Sequence, residues 1–179
     1  MRRRSLLKNL FFSLGGFYIS ASHLSAKTYL TVGQAQKSLC KGLTLRAANV
    51  DLTKEQMKSI HAACKVRVRN SKVNAWKTSD GGWFIVDQII GKHEFIDMAV
   101  ALSPAGKVKG VDILEYRESY GHEVINPKWL AQFIGKSPGQ ELAVDKQIRN
   151  ISGATLSSVH VTEGVRRLLE TWSQVLRRS

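Results

Sequence analysis

The chain has 179 residues, 43% of them hydrophobic, with 27 lysines and arginines against 14 acidic residues and a net charge of +13. That apolar content is enough for one compact domain with a real core and excludes a solvated, disordered chain. Repeats and low-complexity tracts are absent, and so is any nucleic-acid-binding motif that would turn the basic charge into a prediction of nucleic-acid binding.

The first 26 residues read as an export signal. Arg2, Arg3, Arg4 and Lys8 form a positive region, Leu10 to Tyr18 an apolar stretch, and Ser20-Ala21-Ser22 and Ser25-Ala26 supply small residues for cleavage. Arg3-Arg4-Ser5-Leu6-Leu7-Lys8 resembles a twin-arginine signal, and general secretion is the alternative route. The apolar run is shorter than the ~20 residues a membrane span needs, so cleavage is expected rather than anchoring. The expected location is periplasmic, with membrane association compatible. Losing this segment removes four cations and no acids, leaving 23 against 14, or +9. Cys40 and Cys64 make an even count in a compartment that permits disulfides, and two buried thiols are the alternative.

Residues 27–80 are expected to form a helical and strand-bearing extension of the domain, and residues 81–179 its main part. A short helix is expected over Val32 to Leu39. Thr53-Lys54-Glu55-Gln56 has the form of a capping box, and Met57, Ile60, His61 and Cys64 supply the apolar stripe of a second helix. Val66 to Arg69 and Val73 to Thr78 read as strands on either side of an Asn70-Ser71 turn. The clearest β region follows. Trp83 to Ile90, Phe95 to Leu102 and Val108 to Tyr116 are three apolar runs joined by Gly91-Lys92-His93-Glu94 and Ser103-Pro104-Ala105-Gly106. Links this short imply an antiparallel meander. A short helix is expected over Lys128 to Ile134 after Pro127.

The last helix is expected from near Ser157. Val161, Val165, Leu168, Leu169, Trp172 and Leu176 recur at steps of three and four, with Arg166, Arg167, Glu170 and Arg177 on the other face. The fold class that results is α+β, an antiparallel sheet with helices packed on it in a single domain.

Ile151-Ser152-Gly153-Ala154-Thr155-Leu156-Ser157-Ser158 opens this helix with two small residues and four hydroxyls. A helix N-terminus exposes unpaired N–H groups and the positive end of the dipole, which together attract phosphate. Small residues let a ligand approach the backbone. Hydroxyl clusters at this position also serve as helix caps, so composition alone leaves both readings open.

The spelling resembles the FMN-binding domain of respiratory-complex subunits and of stand-alone exported flavoproteins. That family's motif is an acidic residue, two variable positions, then [Ser/Thr]-Gly-Ala-[Thr/Ser], the last hydroxyl carrying FMN through a phosphoester. By that resemblance Thr155 is the attachment residue, flanked by Ser152, Gly153, Ala154, Leu156, Ser157 and Ser158. Glu118-Ser119-Tyr120-Gly121-His122-Glu123 is similar to the family's Glu-x-x-Gly segment, which makes Glu118, Tyr120 and Gly121 flavin-pocket residues. Gln132-Phe133-x-Gly135-Lys136 matches a further family stretch, and Tyr29-Leu30-Thr31 with Ala35 is similar to the entry segment. The family's acidic position is Arg149 here, and Asp145 lies four residues before it.

The resemblance implies FMN as cofactor and a separate flavin transferase, dependent on FAD and Mg2+, as partner. It also implies electron exchange with a donor or acceptor such as a membrane redox complex or cytochrome, so an electron carrier rather than a stand-alone enzyme. A non-redox basic module docking a partner protein and a flavin-dependent reductase are the alternatives. His93 reads as a proton donor to reduced flavin or as a plain polar turn residue. No His/Cys/Asp grouping has metal-ligand spacing.

Overall fold

A computed structural model describes residues 27–179. The export segment expected over residues 1–26 lies outside the described residues.

Seven strands make one antiparallel sheet. They are β1 (Lys27–Thr28), β2 (Leu45–Ala47), β3 (Val50–Asp51), β4 (Lys72–Thr78), β5 (Trp83–Ile90), β6 (Phe95–Leu102) and β7 (Val108–Tyr116). Their order is β1-β7-β6-β5-β4-β2, with β3 also paired to β4. The expected meander is β5-β6-β7, with the strand limits read from the sequence. Gly91 N donates to Glu94 O at the first turn, and Gly106 N to Ser103 O at the second. β4 pairs directly with β5, so the sheet runs without a break across residue 80.

Among the described residues the α-helices are α1 (Val32–Leu39), α2 (Lys54–Cys64), α3 (Pro127–Leu130) and α4 (Thr155–Gln174). α1 and α2 both begin with capping boxes, Thr31 with Gln34 and Thr53 with Gln56. The helix expected over Lys128 to Ile134 is shorter. Pro127 starts it at N1, and from Ala131 the chain tightens into a 3-10 turn that ends at Phe133. α4 begins two residues earlier than expected, at Thr155.

The helices cover both faces of the sheet. Ile85, Ile89, Ile96, Met98, Val100 and Ile113 meet Ile60 of α2 and Val161, Val165, Leu168 and Trp172 of α4 in the larger core. Phe84, Ala99, Ala101 and Leu114 meet Ala35 and Cys40 around α1 on the opposite face. Strands buried on both sides need near-continuous apolar runs, which is how β5 and β6 read. Each aliphatic side chain so buried contributes about 1.5–3 kcal/mol. α4 lies close because residue 164 is glycine: a Cβ there would stand 2.7 Å from Ile89 Cγ2 and 3.1 Å from Met98 Sδ.

Two local readings need correction, and the choice between a disulfide and two thiols is decided. Val66 to Arg69 joins no strand, although its burial alternates as a strand's does. Arg167, expected on the solvent face, is buried and paired with Asp87 of β5. Cys40 and Cys64 are both free thiols, and they belong to the cores on opposite faces of the sheet, so this sheet stands between them.

Candidate functional site

The meander and α4 converge on one cleft. β5 ends at Ile90, β7 ends at Tyr116, and the segments that follow them meet the first turn of α4. A cleft of about 460 Å3 opens there, lined by the 92–93 turn, residues 118–121 and residues 153–157. That size falls within the usual range of ligand pockets, about 300–1,000 Å3.

The opening of α4 is unlike those of α1 and α2. Its N-cap is Ala154, with φ −122 and ψ 26 and no side-chain cap bond. Thr31 and Thr53, by contrast, have ψ of 159 and 163 and fold back onto the backbone N–H of Gln34 and Gln56. The hydroxyls around Ala154 are therefore not helix caps. The N–H groups of Thr155, Leu156 and Ser157 have no hydrogen-bond partner among the described residues. A twenty-residue helix thus presents three free donors and its positive end to the cleft.

The Thr155 side chain is exposed, and its Oγ1 accepts a hydrogen bond from Asn150 Nδ2 at 3.2 Å. The other amide atom, Asn150 Oδ1, is buried without a partner. Gly153, at φ +83, makes the turn into the helix, and a Cβ there would meet nothing within 4 Å.

Gly121 is constrained more tightly. At φ +86 a Cβ would lie 2.5 Å from Ser157 Oγ and 2.8 Å from Tyr116 Oη. Tyr116 Oη donates to Tyr120 O at 2.5 Å, so its single proton is committed, and Ser157 Oγ, 2.8 Å away, must donate to it. Burial pushes the Tyr116 phenol above its ordinary pKa and keeps that proton in place. This chain of bonds ties the 116–121 segment to the first turn of α4.

Glu118 secures the other side. Its Oε1 accepts from His93 N at 2.6 Å and Glu94 N at 3.0 Å. Burial alone would raise the carboxyl, but the N–H groups of Glu94, His93 and Lys92 outweigh it and hold the carboxyl below the ordinary range. Gly91 admits this contact, since a Cβ there would stand 2.4 Å from Glu118 Oε1.

Eight of the ten residues expected at the site line the cleft: Glu118, Tyr120, Gly121, Gly153, Ala154, Thr155, Leu156 and Ser157. Ser152 is exposed on the turn outside that lining, and Ser158 is fully buried beneath it with an unpartnered Oγ. Tyr120 and Leu156, 84% and 48% exposed, supply large apolar surface at the rim. Lys92 was missed by sequence reasoning. It lines the cleft because Glu118 folds the 91–94 turn inward, a long-range contact with no local signature. His93 lines the cleft as well.

The flanking family-like segments act as supports. Gln132 Oε1 accepts from Arg149 N at 2.9 Å, and Trp129 Nε1 donates to Arg149 O at 2.7 Å, which pins the approach to the Ser152–Thr155 turn. Gly135 N donates to Val108 O, and Val108 N to Lys136 O. Arg149 and Asp145 line a separate hollow with Gln132 and take no part in the cleft. Among the described residues no group of three His, Cys, Asp or Glu side chains could hold a metal. No described helix is long and apolar enough to cross a membrane.

Residues 91–170 match the family model of the FMN-binding domain. The fold is similar to the crystal structure of Shewanella oneidensis NqrC, at a TM-score of 0.50 and 18% identity, covering 79% of this chain and 83% of that one. A comparison with curated proteins gives no match. The cleft itself suits FMN: three free N–H donors and Lys92 meet the needs of a phosphate, and Tyr120 with Leu156 offers apolar surface to a ring. Residues 91–170 thus resemble an FMN-binding domain, and FMN is the cofactor that this match supports.

Proposed function

We propose that the protein is an exported electron-transfer flavoprotein with FMN attached through its phosphate to Thr155. The observation that carries this reading is the joint placement of an exposed Thr155 hydroxyl and three unpartnered helix N–H groups in one cleft. The N–H groups of Thr155, Leu156 and Ser157 would hold the phosphate oxygens, with Lys92 offsetting their charge. Tyr120 and Leu156 would shield one side of the ring. When bound, FMN supplies exchange of one or two electrons.

A helix N-terminus is worth about 0.3–1 kcal/mol to an exposed anion and up to ~2 when partly buried. That is too little to retain a cofactor where free FMN is dilute, whereas a phosphoester removes dissociation. In the attachment step Thr155 Oγ1 bonds to the FMN-side phosphorus of FAD. The bond between the two phosphates breaks, AMP leaves, and the hydroxyl proton passes to a base of the flavin transferase. Mg2+ neutralises phosphate charge in that partner's site. Asn150 Nδ2 holds Thr155 Oγ1 in one orientation for the approach. Residues 1–26 support delivery to the periplasm, where a membrane redox complex or a cytochrome would be the donor or acceptor.

The test is the intact mass and visible spectrum of the chain produced with a flavin transferase. An FMN adduct is expected in the wild type and none in Thr155→Val. Flavin that dissociates on denaturation would refute the covalent bond while leaving FMN binding intact. A colourless protein after exposure to both FMN and transferase would refute the whole reading.

A further inference from the structure

A second polar cavity opens where β4 and β5 part. The two strands are paired from Lys77–Trp83 to Asn74–Val86, but β5 continues to Ile90 with only β6 beside it. The chain leading into β4 swings away as the unpaired segment 66–70, after Lys65 turns it out of α2. Val66 and Val68 turn toward the core, which leaves Lys65, Arg67 and Arg69 exposed at alternate positions. Between this segment, the end of β5 and the middle of α4 lies a cavity of about 200 Å3, lined by these three cations with Gln88, His160 and Arg167.

Its charge is uncompensated. Lys65, Arg67 and Arg69 have no carboxylate within ion-pair distance among the described residues. Glu163, the one acid in the lining, faces Arg166 at 3.8 Å, and Asp87 is taken by Arg167. His160 Nδ1 and Arg167 Nε are buried without hydrogen-bond partners. Lys65 adds an independent sign: it caps α2 in the left-handed region at φ 59, where glycine would sit without strain. A strained, non-glycine cap whose charge lines a cavity points to function.

We propose that this cavity is a binding site for an oxyanion, a carboxylate or phosphate group. Guanidinium groups match the planar, paired oxygens of either, and the open edge leaves room for the rest of the ligand. The proposal goes beyond the flavin reading and needs no flavin for its readout.

The test is calorimetric titration of the full chain at low salt with inorganic phosphate, with succinate and with tetraglutamate. Saturable binding of one equivalent is expected. The pair Arg67→Gln with Arg69→Gln should weaken it about tenfold or more, as loss of hydrogen bonds to a charged group does, whereas Lys107→Gln, an exposed cation elsewhere, should not. Lys65→Gly should weaken binding while raising the unfolding midpoint. Binding of phosphate or succinate identifies a free small anion, and binding of tetraglutamate alone identifies side chains of a protein partner; both support the site if the arginine pair weakens them as stated. No saturable binding of any probe overturns the proposal. So does binding of every probe that the arginine pair leaves unchanged in stoichiometry and affinity, because all of it then belongs elsewhere, as at the α4 N-terminus.

Discussion

Gly121→Ala tests whether the cleft floor is held by the bonds described. Two costs combine at this residue. A Cβ at φ +86 carries a left-handed penalty of about 1–2 kcal/mol. The same atom would stand 2.5 Å from Ser157 Oγ and 2.8 Å from Tyr116 Oη, so one hydroxyl must yield and a buried hydrogen bond is lost. Leaving one buried polar group unsatisfied costs about 1–3 kcal/mol, which gives a total of about 2–5 kcal/mol. Gly153→Ala is the matched control: its φ is +83, yet a Cβ would meet nothing within 4 Å. It should lose only the conformational part, about 1–2 kcal/mol. In thermal unfolding of the cofactor-free chain the first variant should melt about 4–20 °C lower and the second about 2–8 °C lower. Equal losses in the two variants would refute the argument, since the chain of bonds from Tyr120 through Tyr116 to Ser157 would then add nothing at Gly121.

Two further outcomes follow from the partnered charges. The Glu118 carboxyl sits below its ordinary value of 4.5, so its stabilisation is complete above that value and is lost as pH falls through the lower folded value. Urea midpoints measured against pH should therefore fall on the acid side in the wild type and fall less in Glu118→Gln; parallel curves would show that the clamp on His93 and Glu94 contributes nothing. Arg167→Met leaves Asp87 buried without its partner and should cost about 3–5 kcal/mol in equilibrium unfolding. The double variant Asp87→Leu, Arg167→Met should recover most of that loss, and strictly additive losses would mean that the two groups do not interact.

What the sequence made legible follows from how each signal arises. β5, β6 and β7 are long apolar runs closed by Gly91 to Glu94 and by the Pro104–Gly106 turn, so run length and turn chemistry agree on their limits. The capping boxes at Thr31 and Thr53 are local and equally visible. β1, β2 and β3, of two or three residues each, form because a neighbouring edge is open, and so short a stretch has no periodicity to read. Val66 to Arg69 alternates as a strand does, but alternation reports a half-buried extended chain and not a hydrogen-bonded partner. Arg167 was misplaced because charge usually marks a solvent face. Its burial depends on Asp87, 80 residues earlier. The cleft was legible wherever the Ser-Gly-Ala-Thr spelling carried it and illegible at Lys92, which reaches it through a fold of the 91–94 turn.

The three longer helices differ in how their first N–H groups are used. A side-chain N-cap is worth about 0.5–2 kcal/mol, and this chain uses that stabilisation at Thr31 and Thr53, where the helices only pack against the sheet. At α4 the raw materials for a cap are more plentiful, with Ser152, Thr155, Ser157 and Ser158 all within four residues of Ala154. None of them is used in that way. Gly153 at φ +83 and Ala154 at ψ 26 turn the backbone so that no hydroxyl folds back onto it. Thr155 faces the cleft instead, and Ser157 is drawn to Tyr116. Stability is therefore forgone, among the described residues, at the helix terminus where unpartnered N–H groups and the exposed Thr155 hydroxyl meet a cavity. If the motif were merely a helix start, the commonest hydroxyl chemistry would have closed it, so the open end is itself an argument that a phosphate-bearing group completes the helix.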